Sequence, residues 1–188
     1  FAAGYHADAI HSGSFVWSDY VSGSTAVKDT AANQYVVRAS GGTYVYSNEA
    51  ATSGVKLAAG SGTWSSLSDR NAKTGLAPFD DASILSKVAN LPVGTWQYKS
   101  ERGVRHAGPM AQDFYRAFGI GEDDRHISSI DEDGVALAAI KALHRENVAL
   151  RASLNELKAQ KGARFEDLAL KVAALEHDIE KDKVDQQR

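Results

Sequence analysis

Residues 65–73, SSLSDRNAK, divide the chain into two kinds of sequence. Upstream of Ser68 the residues are small, polar and glycine-rich, with only seven charges: Asp8, Asp19, Lys28, Asp29, Arg38, Glu49 and Lys56. The chain carries 45 charged side chains in all, which leaves 38 for the 121 residues that follow. Charge density therefore rises about threefold at one point, the kind of shift that marks a boundary between segments. A hydroxyl and an amine, Ser68 and Lys73, stand five residues apart at that boundary.

Working outward toward the N-terminus, SFVWSDY, QYVVRAS, TYVYSN and GVKLAAG are β-branched or aromatic runs separated by Gly, Ser and Asn, and they read as short strands. The stretch QYVVRASGGTYVYSN predicts a hairpin turning at Gly41-Gly42. Strands this short bury little core of their own, and their open edges call for a pairing partner. A homo-oligomeric fibre supplies one; an ordinary small β domain is the alternative. The chain opens on Phe1 rather than Met, which suggests a fragment of something longer.

Toward the C-terminus the pattern changes. DDASILSKVANLP predicts a short helix with Asp or Ser as its N-cap, with Ile84, Leu85 and Val88 on one side and with Pro92 closing it. VGTWQYK alternates as a strand does, and MAQDFYRAFGI predicts a second helix ending at Gly119. From Gly134 on, Ile140, Leu143, Asn147, Leu150, Leu154 and Leu157 recur at alternating spacings of three and four, the a and d positions of a coiled coil. Asn147 at an a position would fix register at some cost in stability. The seam fails at Lys161 and Arg164, beside Gly162, and a second seam of Phe165, Leu168, Val172, Leu175 and Ile179 resumes four residues out of phase. That shift means a stutter in one helix or a turn between two antiparallel helices. An amphipathic hairpin packed on its own domain is the non-oligomeric alternative.

Composition excludes several classes. A net charge of −3 spread over both signs offers no basic field for nucleic acid. No run reaches the roughly 18 to 20 apolar residues of a membrane span, and FAAGYHADAI lacks the charged start of a signal peptide. With no cysteine, chemistry falls to Ser, Lys, His, Asp or Glu. His106, His126 and His144 lie in three separate segments and read as surface or hydrogen-bonding residues rather than metal ligands. GEDDRH lacks the alternating ligands of a calcium loop and reads as a solvated turn. Trp96, Tyr98 and Phe114 suit core packing better than sugar stacking. Neither a metal nor a cofactor is implied.

Ser68 and Lys73 are the best nucleophile and base available. A serine hydroxyl needs a base to take its proton, and a lysine serves only when burial or neighbouring positive charge lowers its pKa. Spacing alone does not distinguish such a dyad from a polar loop with a solvated lysine. Three motifs in order do more: SDRNAK, then TWQYK at Thr95–Lys99, then HAGPMAQDF at His106–Phe114. Together they resemble the C-terminal intramolecular chaperone domain of phage tailspikes and tail fibres, the endosialidase-type self-cleaving domain of peptidase family S74, over about Ser68–Leu157.

The resemblance implies a domain that trimerises, assists folding of the intertwined β stalk ahead of it, and then cuts itself off before the serine of S-D-x-x-x-K. Carried onto this chain, the resemblance implies Ser68 as the nucleophile, Lys73 as its base and Leu67–Ser68 as the cut bond, with Asp69, Arg70 and Asn71 in support. GYHADAIHSGSFVWSD further resembles the head and stalk repeats of trimeric bacterial surface fibres and phage tail proteins.

The expected fold is α+β in three segments: an intertwined trimeric β stalk end over 1–67, a small mixed α/β chaperone core over 68–134, and helices of coiled-coil or hairpin form over 135–188. The expected partners are two further copies of the chain, its own stalk as folding client, and a host-surface glycan bound through the parent fibre. The expected location is a phage tail fibre or tailspike, or a bacterial surface fibre. The alternative from another class is a permanent trimer cap that never cleaves, and a third is an adhesin tip, which would need an exposed cleft of aromatic and polar groups.

Overall fold

The computed structural model describes residues 1–186. Among the described residues the fold is mixed α and β, with three helices, a single 3-10 turn and several small sheets. The chain divides into two compact units, residues 1–77 and 78–188.

The first unit begins as a stack of parallel strands. β1 (Ala2–Gly4), β3 (Phe15–Ser18) and β5 (Tyr35–Arg38) form one ladder, and β2 (Ala7–Asp8) and β4 (Val27–Lys28) form a second. Ala2 pairs with Val16 and Phe15 with Tyr35, so each turn of the chain lays a strand beside its predecessor. The register aligns like with like. The rings of Phe1 and Phe15 stack at 5.2 Å and those of Phe15 and Tyr35 at 5.1 Å on one face, while Val16 is buried on the other. Gly4 is obligatory here: its φ is +95°, and a Cβ would fall 1.9 Å from the Ser18 carbonyl oxygen.

Asp29 is the buried charge of this stack. Its carboxylate accepts hydrogen bonds from the Ile10 N–H at 2.6 Å, the His11 N–H at 2.9 Å and the His11 ring at 3.0 Å. Burial pushes its pKa up, but the N–H of Ile10, the Ser14 hydroxyl and the two His11 donors outweigh that and hold it far below the usual carboxylate range.

The expected hairpin at Gly41-Gly42 does not form. β5 pairs in parallel with β3, and the chain turns at Gly42 into β6 (Gly42–Tyr46), which pairs antiparallel with β7 (Gly54–Ala58). β8 (Trp64–Ser66) completes an antiparallel sheet of order β6–β7–β8.

The second unit holds α1 (Asp81–Asn90), the antiparallel pair β9 (Val93–Trp96) and β10 (His106–Pro109), α2 (Ala111–Phe118) and α3 (Ser129–Gln186). Its core is Ile84 of α1, Phe114 of α2, and Val135, Ala139 and Ala142 of α3, with Leu85, Val88 and Phe118 around them. α2 stops at Gly119, which adopts φ +64° and donates its N–H to the Tyr115 carbonyl. α3 runs unbroken through Gly162, so the four-residue phase shift lies within one helix and the hairpin alternative is removed. At 1.5 Å per residue its 58 residues span about 87 Å.

Among the described residues no helix is long and apolar enough to cross a membrane.

Candidate functional site

The candidate site forms where the β6–β7–β8 sheet ends. β8 pairs with β7, and the Leu67 N–H continues that pairing by donating to the Gly54 carbonyl at 2.9 Å. Gly54 can sit so close to the neighbouring strand only because it lacks a Cβ, which would fall 2.1 Å from the Val45 carbonyl oxygen. Leu67 is thereby the last residue fixed by the sheet, and Ser68 the first beyond it.

Asp69 then starts a 3-10 turn over Arg70–Ala72. Its carboxylate accepts from the Asn71 backbone N–H at 2.9 Å and from the Asn71 side-chain amide at 3.1 Å, the N-cap role for which Asp is suited. Two backbone bonds close the turn, Ala72 N–H to Asp69 at 3.2 Å and Lys73 N–H to Arg70 at 3.1 Å. Lys73 leaves the turn in extended conformation. The result brings its side chain back across the turn, where Nζ donates to Ser68 Oγ at 2.5 Å. A nucleophile and a base within hydrogen-bond reach satisfy the geometric condition for general-base activation of a hydroxyl. Both groups are exposed in the single chain.

Asp69 and Asn71 thus belong to the turn that sets the dyad, while Arg70 enters it through its backbone carbonyl. The Gly54 carbonyl was not anticipated from sequence; nothing in SGVKL distinguishes a glycine that anchors a residue thirteen positions on.

The seam residues Ile140, Leu143, Leu150, Leu154 and Leu157 are all exposed on α3. Asn147 donates its side-chain amide to the Leu143 carbonyl at 2.9 Å. The second seam, Phe165, Leu168, Val172, Leu175 and Ile179, is exposed as well, with Lys161 Nζ 5.6 Å from the centre of the Phe165 ring at the phase shift.

The histidines stay apart: His106 bonds Glu101 at 3.0 Å and His126 bonds Asp123 at 3.0 Å. GEDDRH is a turn closed on Asp123, which accepts from the N–H groups of Arg125 and His126; the Arg125 N–H foremost holds its pKa below the ordinary value. Of the three aromatics assigned to the core, only Phe114 lies there. Tyr98 is 56% exposed and Trp96 lines a cleft, because both sit at the end of a two-stranded sheet too small to cover them.

The polar turn over residues 69–73 sets a serine hydroxyl against a lysine amine. Residues 68–119 match the family model described as chaperone of endosialidase, peptidase family S74, and this match supports an S74-type intramolecular chaperone domain in the chain. The match begins at Ser68 itself and ends at the glycine that caps α2, so it is shorter than the motifs suggested and leaves α3 outside. No curated protein matches the chain.

Proposed function

We propose that this chain is the C-terminal part of a fibre protein, in which a chaperone core over 68–134 and a helical segment over 135–188 trimerise, assist folding of the β-rich client at 1–67, and release it by cutting Leu67–Ser68. The observation that carries the cleavage reading is the 2.5 Å bond between Lys73 Nζ and Ser68 Oγ, one residue beyond the last sheet-anchored position. The family match supports the chaperone role and implies a fibre client, in keeping with a phage tail fibre or tailspike, or a bacterial surface fibre.

The chemistry is a single-turnover acyl transfer. Neutral Lys73 takes the hydroxyl proton of Ser68, and Oγ attacks the carbonyl carbon of Leu67 through a five-membered ring, so tethering removes most of the entropic cost of meeting. The bond from that carbon to the Ser68 nitrogen breaks, and the departing amine takes the proton back from Lys73. Water then hydrolyses the ester, freeing the Leu67 carboxylate and restoring the Ser68 hydroxyl. The α3 seams would join three copies, with Asn147 setting their register.

Mass spectrometry of freshly expressed protein tests this. The expected result is two fragments, 1–67 and 68–188, absent in Ser68→Ala and in Lys73→Ala. An intact wild-type chain under all assembly conditions supports the second reading, a permanent trimer cap, which the exposure of both dyad groups in the single chain favours.

A further inference from the structure

A cleft of about 390 Å³ opens in the second unit between the β9–β10 sheet, the start of α2 and the start of α3, within the size range of small-ligand sites. Its wall is aromatic and held in place. Trp96 stacks on His106 at 4.8 Å and meets the edge of Tyr98 at 4.9 Å, and Glu101 ties His106 down at 3.0 Å. Tyr98 stands 56% exposed beside it. The Trp96 indole N–H is buried with no hydrogen-bond partner, and the missing side chain of Gly108 leaves its side of the wall thin: a Cβ there would stand 4.0 Å from it.

The rim is polar, with Gln112, Arg125 and Glu132 all exposed. Arg125 is set by Asp123, which accepts its backbone N–H at 2.8 Å. Among the described residues neither Arg125 nor Glu132 forms an ion pair.

This mixture selects a ligand by its hydrogen-bonding valence. Arg125 and the indole can only donate, ionised Glu132 can only accept, and Gln112 does both. A carboxylate or a phosphate would satisfy the donors and leave Glu132 opposed or unpaired; an ammonium would do the reverse. Vicinal hydroxyls donate and accept together, and a sugar ring carries them around an apolar face that an aromatic wall can cover. We infer that this cleft is a carbohydrate site for a neutral pyranose unit, with its apolar face against Tyr98 and its hydroxyls shared among Gln112, Arg125 and Glu132. It supplies the aromatic and polar cleft that an adhesive role requires, and it does not depend on self-cleavage.

The test uses the full 188-residue chain on an array of immobilised neutral oligosaccharides of hexoses and N-acetylhexosamines. The strongest binder is then titrated in free form while the Trp96 indole N–H resonance, assigned with Trp96→Phe, is followed. The expected result is saturable binding that moves this resonance and is weakened about tenfold or more by Tyr98→Ala and by Glu132→Gln, the scale of losing an aromatic platform or a charge-assisted hydrogen bond, with melting unchanged. An array without signal, or binding that survives both substitutions, overturns the inference. So does a Trp96 resonance that moves with acetate or a short peptide and binds it more tightly in Glu132→Gln, which would make the cleft an anion or peptide site.

Discussion

Replacing Asp69 with alanine isolates what the turn contributes to the dyad. Asp69 holds the 3-10 turn through two hydrogen bonds to Asn71, and that turn is what folds Lys73 back onto Ser68. Loss of an Asp N-cap costs about 1 kcal/mol, within a range of about 0.5 to 2. The turn is exposed and has no buried side chain to hold it otherwise, so the cost should appear as a smaller population of the aligned dyad. About 1 kcal/mol is roughly a fivefold slower cleavage, and about 2 kcal/mol roughly thirtyfold. The assay is a mass-spectrometric time course of the 68–188 fragment under conditions where the wild type cleaves, with thermal melting run in parallel. Melting should not change, because no core residue is touched. Asp69→Asn is the control: asparagine caps as well as aspartate and should cleave within about twofold of wild type. Wild-type cleavage by Asp69→Ala would refute the role of the turn. Asparagine as slow as alanine would show that the charge acts and the cap does not.

Three further outcomes follow from the structure. Because the folded pKa of Asp29 is depressed, its contribution to stability is complete above the unfolded value near about 3.9 and is lost as pH falls below it toward the folded pKa. Thermal melts from neutral pH downward should show acid destabilisation of the β-rich unit, and Asp29→Asn should flatten that dependence while lowering stability at pH 7. Ile84 is 1% exposed at the centre of the second unit, so Ile84→Ala should cost about 3 kcal/mol in denaturant unfolding, and less than about 1 would contradict the packing described. The paired change Leu150→Asp with Leu154→Asp puts charge into the proposed seam. Ultracentrifugation should find monomer, and cleavage should fall at least about tenfold, whereas full cleavage by a monomer would disprove its coupling to assembly.

What sequence made legible, and what it hid, follows from the range of the forces involved. The helices were readable because each rests on local cues, such as the spacing of Ile84, Leu85 and Val88 and the glycine at 119. The hydrogen bond between Lys73 and Ser68 is equally local, since five residues and one capping aspartate suffice to form it. The parallel stack was not. Its first step places Val16 beside Ala2 and its second places Tyr35 beside Phe15, so the unequal lengths between strands hid the repeat, and Gly41-Gly42 offered a nearer but wrong partner. Gly162 suggested a break in α3, but an exposed helix tolerates one glycine for about 1 kcal/mol. The rim of the cleft was hidden because Gln112, Arg125 and Glu132 come from three segments that only the fold brings together.

Exposure is the property that the proposed dyad and the proposed seam share. A lysine acts as a base near neutral pH when its ammonium form is desolvated or crowded by positive charge, and Lys73 is exposed in the single chain. The seam leucines gain about 1.5 to 3 kcal/mol each when buried, and in the single chain they remain in water: Leu150 is 61% exposed and Leu154 50%. In the proposed trimer, further copies of the same chain would cover both. Ser68 Oγ already lies 2.5 Å from Lys73 Nζ, so the proposed step requires loss of a proton from Lys73 and not a move of either side chain. On the proposed reading assembly would be the switch, and the stalk would be released only after the copies that must fold together have met.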